Sequence, residues 1–428
     1  MPQFQDLSSE ELTSIKEAAA ARLEAFREKG MKLDMSRGKP GADQHDLSSQ
    51  LFTNVTMESG VATKGGVDCR NYGLPFGIPE AQQLFGEILG VPAENVIVGG
   101  NSSLNMMFDT ISQGLTNGFG YGPWAAQGRV KFLCPVPGYD RHFSVCEYLG
   151  IEMITVPMTK NGPDMNEVRR LAENDPLVKG MWCVPKYSNP DGVTYSDETV
   201  RALAALEPAA KDFRIFWDNS YAVHDLYEDR KDTLLNFYEE CRKQGHEDMV
   251  FTFTSTSKIT FSGGGLAAMA ASERNCGLLK KRISVQTIGP DKLNQLRHTR
   301  FLPDMEHVKE QMKRHAAIIA PKFRAVLEIL SERLGGKGIG KWTDPNGGYF
   351  VSFQSMPGCA GRIVSVCLEA GVTLTPAGAT YPYGKDPEDS NIRISPTFPP
   401  VEELREAISV FCDAVEFVSA EKLLGEKA

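Results

Sequence analysis

Met249-Val-Phe-Thr-Phe-Thr-Ser-Thr-Ser-Lys258-Ile-Thr-Phe-Ser-Gly-Gly-Gly265 is the stretch whose reading decides the fold. Its first half is apolar, β-branched and hydroxyl-rich, the pattern of a strand buried on both faces as in a parallel sheet. Lys258 then falls just past the strand's C-terminal end, at the edge where open α/β sheets bind their ligands. The surrounding hydroxyls, Ser255 and Ser257 among them, and the bare backbone of Gly263 to Gly265 suit an anionic group such as a phosphate.

Working outward, strand candidates recur at 96–98, 130–134, 152–157, 180–184 and 213–218. Helical patterns fall between most of them, around 79–89, 101–115, 139–149, 164–173 and 196–206. This alternation predicts a mostly parallel sheet covered by helices. After Gly289-Pro290 the pattern changes to a long helix over 305–334, a helix near 360–370, a strand at 391–395 and a C-terminal helix from Val401 to about 421. These elements predict a smaller α+β domain. The chain opens on a capping box, Ser8-Ser-Glu-Glu11, followed by Leu12, Ile15, Ala19, Leu23 and Phe26 at helical spacing. That helix is expected to pack on the small domain, which makes the domain discontinuous. The expected division is 1–45 for the helix and arm, 46–295 for the large domain and 296–428 for the small one. The arm from Ser36 to about residue 78 has little periodicity, and such a segment usually covers a domain or a partner subunit.

Composition excludes several classes. Of the 428 residues 41% are hydrophobic and 24% charged, ordinary for a soluble globular protein. The net charge of −9 disfavours nucleic acid and anionic membrane surfaces as partners. No secretory leader or run of 18 apolar residues is visible, so no membrane span is expected. The nine cysteines are scattered without a CxxC pair and read as reduced core residues of a cytoplasmic protein. No metal site is expected: the seven histidines have no ligand spacing, and His307 and His315 are assigned to the solvated face of the long helix.

A lysine held near a phosphate is what a pyridoxal-phosphate enzyme requires, because that cofactor is held as a Schiff base to lysine; a solvated loop lysine is the ordinary alternative. Asp218 ends the strand 213–218. It is either an N-cap or turn residue, or the partner of a protonated pyridine nitrogen. Tyr221, three residues on, and Asn189, in the turn-rich Asn189-Pro-Asp-Gly192, are candidates to bond the ring's phenolic oxygen. Gly99-Gly-Asn-Ser-Ser103 joins a strand to a helix and offers either a phosphate cradle or a plain N-cap at Asn101. Tyr139 suits stacking on a flat ring, or simple burial in the core. Arg393, flanked by isoleucines, is a candidate for bidentate binding of a substrate carboxylate or else a surface charge. For a second carboxylate the choices are Arg141, two residues after Tyr139, and Arg37 in the arm.

The ordered set of Tyr72, Gly-Asn-Ser-Ser, Pro-Gly-Tyr139, Asn189-Pro-Asp-Gly, Asp218-Asn-Ser-Tyr221, Ser-x-Ser-Lys258 and Arg393 resembles the class I and II aminotransferases of fold type I. Ser36-Arg-Gly-Lys-Pro, Asn71-Tyr-Gly and Thr256-Ser-Lys-Ile-Thr-Phe are similar to a bacterial aspartate aminotransferase subgroup. The resemblance spans nearly the whole chain. It implies a fold type I α/β architecture with a mostly parallel seven-stranded sheet, pyridoxal 5'-phosphate as cofactor, and a homodimer with shared active sites. It also implies roles. Lys258 would hold the cofactor and act as base, Asp218 would pair with the pyridine nitrogen, and Tyr221 and Asn189 would bond the ring oxygen. Tyr139 would stack. Ser102, Ser103, Ser255 and Ser257 would take the phosphate with Tyr72 of the neighbouring subunit, and Gly38 and Arg393 would hold the α-carboxylate. One departure stands out: where the family usually carries a phosphate-binding arginine, this chain has Leu266. The expected activity is amino transfer between aspartate or glutamate and 2-oxo acids. The rivals are another reaction of the same cofactor, such as β-decarboxylation or C–S lysis, and an effector-binding regulator without enzymatic activity.

Overall fold

The computed structural model describes residues 2–427. In chain order the strands are β1 (Leu33–Asp34), β2 (Val96–Val98), β3 (Lys131–Val136), β4 (Glu152–Thr159), β5 (Gly162–Pro163), β6 (Val178–Cys183), β7 (Arg214–Asp218), β8 (Val250–Ser255), β9 (Ala267–Ala271), β10 (Gly340–Trp342), β11 (Val351–Ser355), β12 (Val372–Thr373) and β13 (Asn391–Ile394). The large sheet has the order β2-β9-β8-β7-β6-β3-β4-β5. From β4 through β3, β6 and β7 to β8 every pairing is parallel. β9 runs antiparallel to both β8 and β2. Seven longer strands form the body, the number that the family resemblance implies. The two-residue β5 adds an eighth at the edge, where the chain folds back after Thr159 and Gly162 pairs with it.

Alternation along the buried strands sorts their side chains into two layers. Leu133, Met181, Cys183, Ile215 and Trp217 join one core with Val200, Leu203 and Phe237. Phe132, Cys134, Trp182, Phe216, Phe251 and Phe253 join the other with Met107, Ile111 and Phe143. Every residue of β6, β7 and β8 is buried, as a strand covered by helices on both faces must be. Three helices (Phe237–Gln244, Glu273–Gln286 and Lys292–Phe301) and strand β9 were absent from the sequence reading. The helix expected from Asn101 begins at Ser103 instead, because Ser102 is the cap and its hydroxyl accepts from the Asn105 amide at 3.3 Å.

A separate core lies around the antiparallel β10-β11-β13 sheet and the parallel β1-β12 pair. Helix Ser9–Glu28 carries the expected capping box and puts Leu12, Leu23 and Phe26 into this core beside Val326 and Leu330 of helix Met305–Leu334 and Phe411 and Val415 of helix Val401–Lys427. The buried carboxylates of Asp413 and Glu416 are paired there by Arg22, Arg333 and Lys337. Among the described residues no helix is long and apolar enough to cross a membrane, and no group of side chains could hold a metal ion. All nine cysteines are free and buried.

His315 corrects the sequence reading. It is fully buried, while His307 is exposed and its Nδ1 donates to the Asp304 carboxylate at 2.8 Å. Burial pushes the proton affinity of His315 and His298 down, each to about 4 from an ordinary 6.5. Both rings are therefore neutral in the folded chain at neutral pH, whereas the unfolded chain takes up their protons below about 6.5. Their contribution to stability is complete above that value and is lost as pH falls towards about 4. A melting series should show Tm dropping across this window, with a shallower slope for His315→Gln; equal slopes would exclude His315 as a source.

Candidate active site

The C-terminal ends of the parallel strands converge on a cleft of about 660 Å³ between the large sheet and the second core. Most of its polar residues arrive by a strand end. Asp218 is the last residue of β7, and Lys258 lies three residues past β8. Asn189 sits in the loop after β6, and Tyr139 caps the helix Asp140–Tyr148 that follows β3. Ser102 and Ser103 open the helix Ser103–Thr116 after β2. Ser36, Arg37 and Gly38 come from the arm, and Arg393 from β13. Of the residues given a cofactor or substrate role by the resemblance, and of Arg37 and Arg141, all line this cleft except Tyr72, which stands 77% exposed on the arm.

Asp218 is 4% exposed, and both its oxygens are engaged. Oδ2 lies 3.0 Å from His142 Nε2, and Oδ1 accepts from the Ser220 hydroxyl at 2.5 Å. His142 is held flat on Trp182, ring centroids 4.1 Å apart, and meets the edge of Tyr139 at 4.9 Å. Neither His142 nor Ser220 emerged from the sequence. The available signal was spacing: His142 follows Tyr139 by three residues, which brings the two side chains together on one turn of helix.

Lys258 is half-buried, its Nζ 5.2 Å from the Tyr221 ring centroid and 5.8 Å from that of Tyr349. Burial lowers its proton affinity, and the charge of Asp218 partly opposes this. An amine so placed yields its proton more readily than a solvated lysine. Burial, reinforced by Tyr139 and Asp218, keeps the Tyr221 hydroxyl well above the usual phenol range, so it stays protonated and can donate. Tyr139 is likewise pushed up to about 12 by burial and the charge of Asp218.

Ser255 donates to the Ser257 hydroxyl at 3.1 Å, and Ser257 donates to the Asn101 carbonyl at 3.3 Å. The glycine loop beside them is tied down by Asn101, which donates to Gly263 at 3.0 Å, and by Asn294, which donates to Gly264 and Gly265 at 3.1 and 3.0 Å. Hydroxyls gathered at a helix N-terminus, whose first N–H groups lack intrahelical acceptors, are a donor set for an anion. Leu266 is 1% exposed and packs in the core, its backbone exchanging hydrogen bonds with Thr256.

Arg393 is 7% exposed. Its Nη1 donates to Asp140 at 2.8 Å and to Asn189 at 3.2 Å, and its Nη2 to Thr375 at 3.4 Å. Its Nε is buried with no acceptor in the protein. A buried guanidinium N–H without an acceptor is costly and calls for a ligand. Gly38 adds backbone to the same wall: a Cβ there would come within 2.3 Å of the Phe350 ring, so only glycine allows this approach. Arg37 and Arg141 both line the cleft, exposed and without an ion pair among the described residues.

Residues 7–427 match the profile of the aspartate amino-transferase family. The aspartate aminotransferase of Corynebacterium glutamicum is 42% identical over 98% of this chain and 96% of its own length. The crystal structure of an aspartate transaminase from C. glutamicum superposes with a TM-score of 0.95 at 42% identity, covering 98% of this chain and 99% of the other. The fold extends further: LysN, an α-aminoadipate aminotransferase of Thermus thermophilus, superposes with a TM-score of 0.72 at 19% identity, over 96% of this chain and 98% of its own. With the sheet, the cleft and these relatives in agreement along the full chain, this protein belongs to the aspartate amino-transferase family and is an enzyme of amino-group transfer with the type I fold.

Proposed function

We propose that this enzyme is a pyridoxal-phosphate-dependent aspartate aminotransferase, moving the amino group of L-aspartate to 2-oxoglutarate and releasing oxaloacetate and L-glutamate. The observation that carries this reading is the gathering of Lys258, Asp218, Tyr221, Asn189, Tyr139, Arg393 and the serine set in one cleft. The donor set fits the cofactor: hydroxyls and a helix N-terminus for the phosphate, a buried carboxylate for a protonated ring nitrogen, and a lysine amine beside them.

When bound, pyridoxal phosphate supplies a conjugated ring that accepts the electron pair left on the amino acid's α-carbon. Lys258 would hold the cofactor, and its amine, when free, would serve as the base that takes the α-proton and gives it back. Asp218 would pair with the ring nitrogen and hold its proton, with His142 and Ser220 fixing the direction of the carboxylate oxygens. Tyr221 and Asn189 would donate to the ring oxygen, and Tyr139 would cover the ring face. Arg393 and the backbone of Gly38 take the α-carboxylate. Ser102, Ser103, Ser255 and Ser257 take the phosphate. Lys258→Ala should fold and bind the cofactor weakly, lose the visible absorbance of the lysine-linked form, and lose turnover by about three orders of magnitude or more. Normal transamination by that variant would remove Lys258 from the reaction.

The second carboxylate of aspartate needs a cation of its own inside a closed cleft. We assign it to Arg141, which lines the cleft two residues after Tyr139, the residue read as the ring's cover, with Arg37 as the other candidate. Arg141→Leu should raise KM for aspartate and glutamate about tenfold or more, the worth of a charge-assisted contact, and leave alanine nearly unaffected. Equal losses for both substrate types would transfer the role to Arg37 or to a partner residue.

We further assign a homodimer with shared sites, at home in the reducing cytoplasm. Tyr72, Phe52 and Met57 on the arm are each more than 70% exposed, and Ile288 is 63% exposed on a segment that meets the arm where Gly289 abuts Gly73. Exposed apolar side chains of this kind are what a second copy would cover. Mixing inactive Tyr72→Phe and Lys258→Ala proteins should restore activity in hybrid dimers. Activity no higher than that of either parent, with subunit exchange demonstrated, would rule out sharing through Tyr72.

A further inference from the structure

Behind the cleft lies a buried polar cluster that the reaction does not use directly. Gln44, Ser48, Gln311, His315 and Tyr349 are each at most 3% exposed. Their hydrogen bonds settle one another. The Gln44 carbonyl oxygen accepts from the Gly41 amide at 3.1 Å, so its NH₂ faces the Tyr349 hydroxyl at 2.9 Å and His315 Nδ1 at 3.3 Å. An NH₂ group only donates, so Nδ1 is the acceptor and the ring proton of His315 sits on Nε2. That N–H donates to the Ile259 carbonyl at 2.9 Å. Gln311 is oriented by Arg314, which donates to its oxygen at 3.2 Å, and its NH₂ reaches the same Ile259 carbonyl at 3.1 Å and the Ser48 hydroxyl at 3.1 Å. The 3.2 Å approach of Gln311 Nε2 to His315 Nε2 is thus two donors converging on one oxygen.

Ile259 is the residue after Lys258, and the Tyr349 ring is one of the two walls beside the Lys258 amine. The cluster therefore grips Lys258 twice, through the backbone that follows it and through an aromatic ring beside its nitrogen. Gln44 belongs to the arm, a few residues beyond Arg37 and Gly38. We infer that Gln44, Gln311, His315 and Tyr349 form a positioning unit that aims the Lys258 amine and fixes it relative to the substrate-binding arm. The inference rests on Lys258 being the reacting lysine. His315 touches neither substrate nor cofactor; it acts through Ile259.

The test compares full-length, cofactor-loaded His315→Leu and His315→Gln with wild type. Leucine removes the donor to Ile259, while the amide nitrogen of glutamine can reach about where imidazole Nε2 lies. His315→Leu should lower kcat for aspartate about ten- to hundredfold, the cost of a reacting group misplaced by about 1 Å, with KM changed no more than about twofold. The share of bound pyridoxal phosphate that borohydride fixes onto Lys258 should fall in parallel. His315→Gln should recover both readouts to within about threefold of wild type. If both variants lower Tm alike while kcat per loaded site and the fixed share stay at the wild-type level, the cluster is structural and the inference is overturned. If His315→Leu does not fold, Gln311→Met carries the same comparison: a fall in kcat and fixed share at constant KM supports the unit, and no change overturns it. A wild-type enzyme in which borohydride fixes nothing at Lys258 would remove the proposed function and this inference together. A normally linked wild type with unchanged variants removes the inference alone.

Discussion

The active cleft depends on satisfying a carboxylate where water scarcely reaches. Asp218 closes a strand whose every residue is buried. An unpaired charge in such a place costs enough to shift its protonation or unfold its surroundings. The chain meets that demand with a hydrogen bond on each oxygen, from Ser220 two residues on and from His142 on the neighbouring helix. His142 can serve only because Trp182 in β6 holds its ring flat, and Trp182 in turn packs within the aromatic layer of Phe132 and Phe216. The charge at the bottom of the cleft and the packing of one whole face of the sheet are thus a single arrangement.

Phosphate recognition rests on a different balance. With leucine at 266 buried in the core, the cations lining the cleft are Lys258, Arg37, Lys39, Arg141 and Arg393. Hydroxyls and helix N–H groups would carry the phosphate in our reading. Such donors are neutral, and their strength depends on being held in place. This gives a physical reason for the amides that tie the glycine loop, Asn101 to Gly263 and Asn294 to Gly264 and Gly265.

The alternation of strands and helices was legible because each buried strand is a short run of large or β-branched residues ending in a turn. β9 was missed because Ala267-Ala-Met-Ala-Ala271 has neither mark; it is a strand only because β2 and β8 pair with it on both sides. The residues that line the cleft were readable one strand end at a time, since the position of each follows from local pattern. Their supports were not. His142 bonds a residue 76 positions away, and His315 reaches Ile259 across 56. Histidine at helical spacing fits a wet face as well as a dry one until the partner is in place. The misplacement of His315 is that ambiguity. Arg393 was legible as a candidate, but its pairing with Asp140 was not, because the two lie 253 residues apart.

The second core has a temporal side. Leu12, Leu23 and Phe26 find their partners largely on the helix that begins at Val401, and Arg22 neutralises Asp413 and Glu416 on that same helix. At a translation speed of roughly 5–20 residues per second, the earliest helix waits on the order of 20–80 s for the segment that covers it. During this interval its apolar stripe is uncovered. The second core is therefore completed only when Val401–Lys427 is made, and until then the stripe is open to non-native contacts.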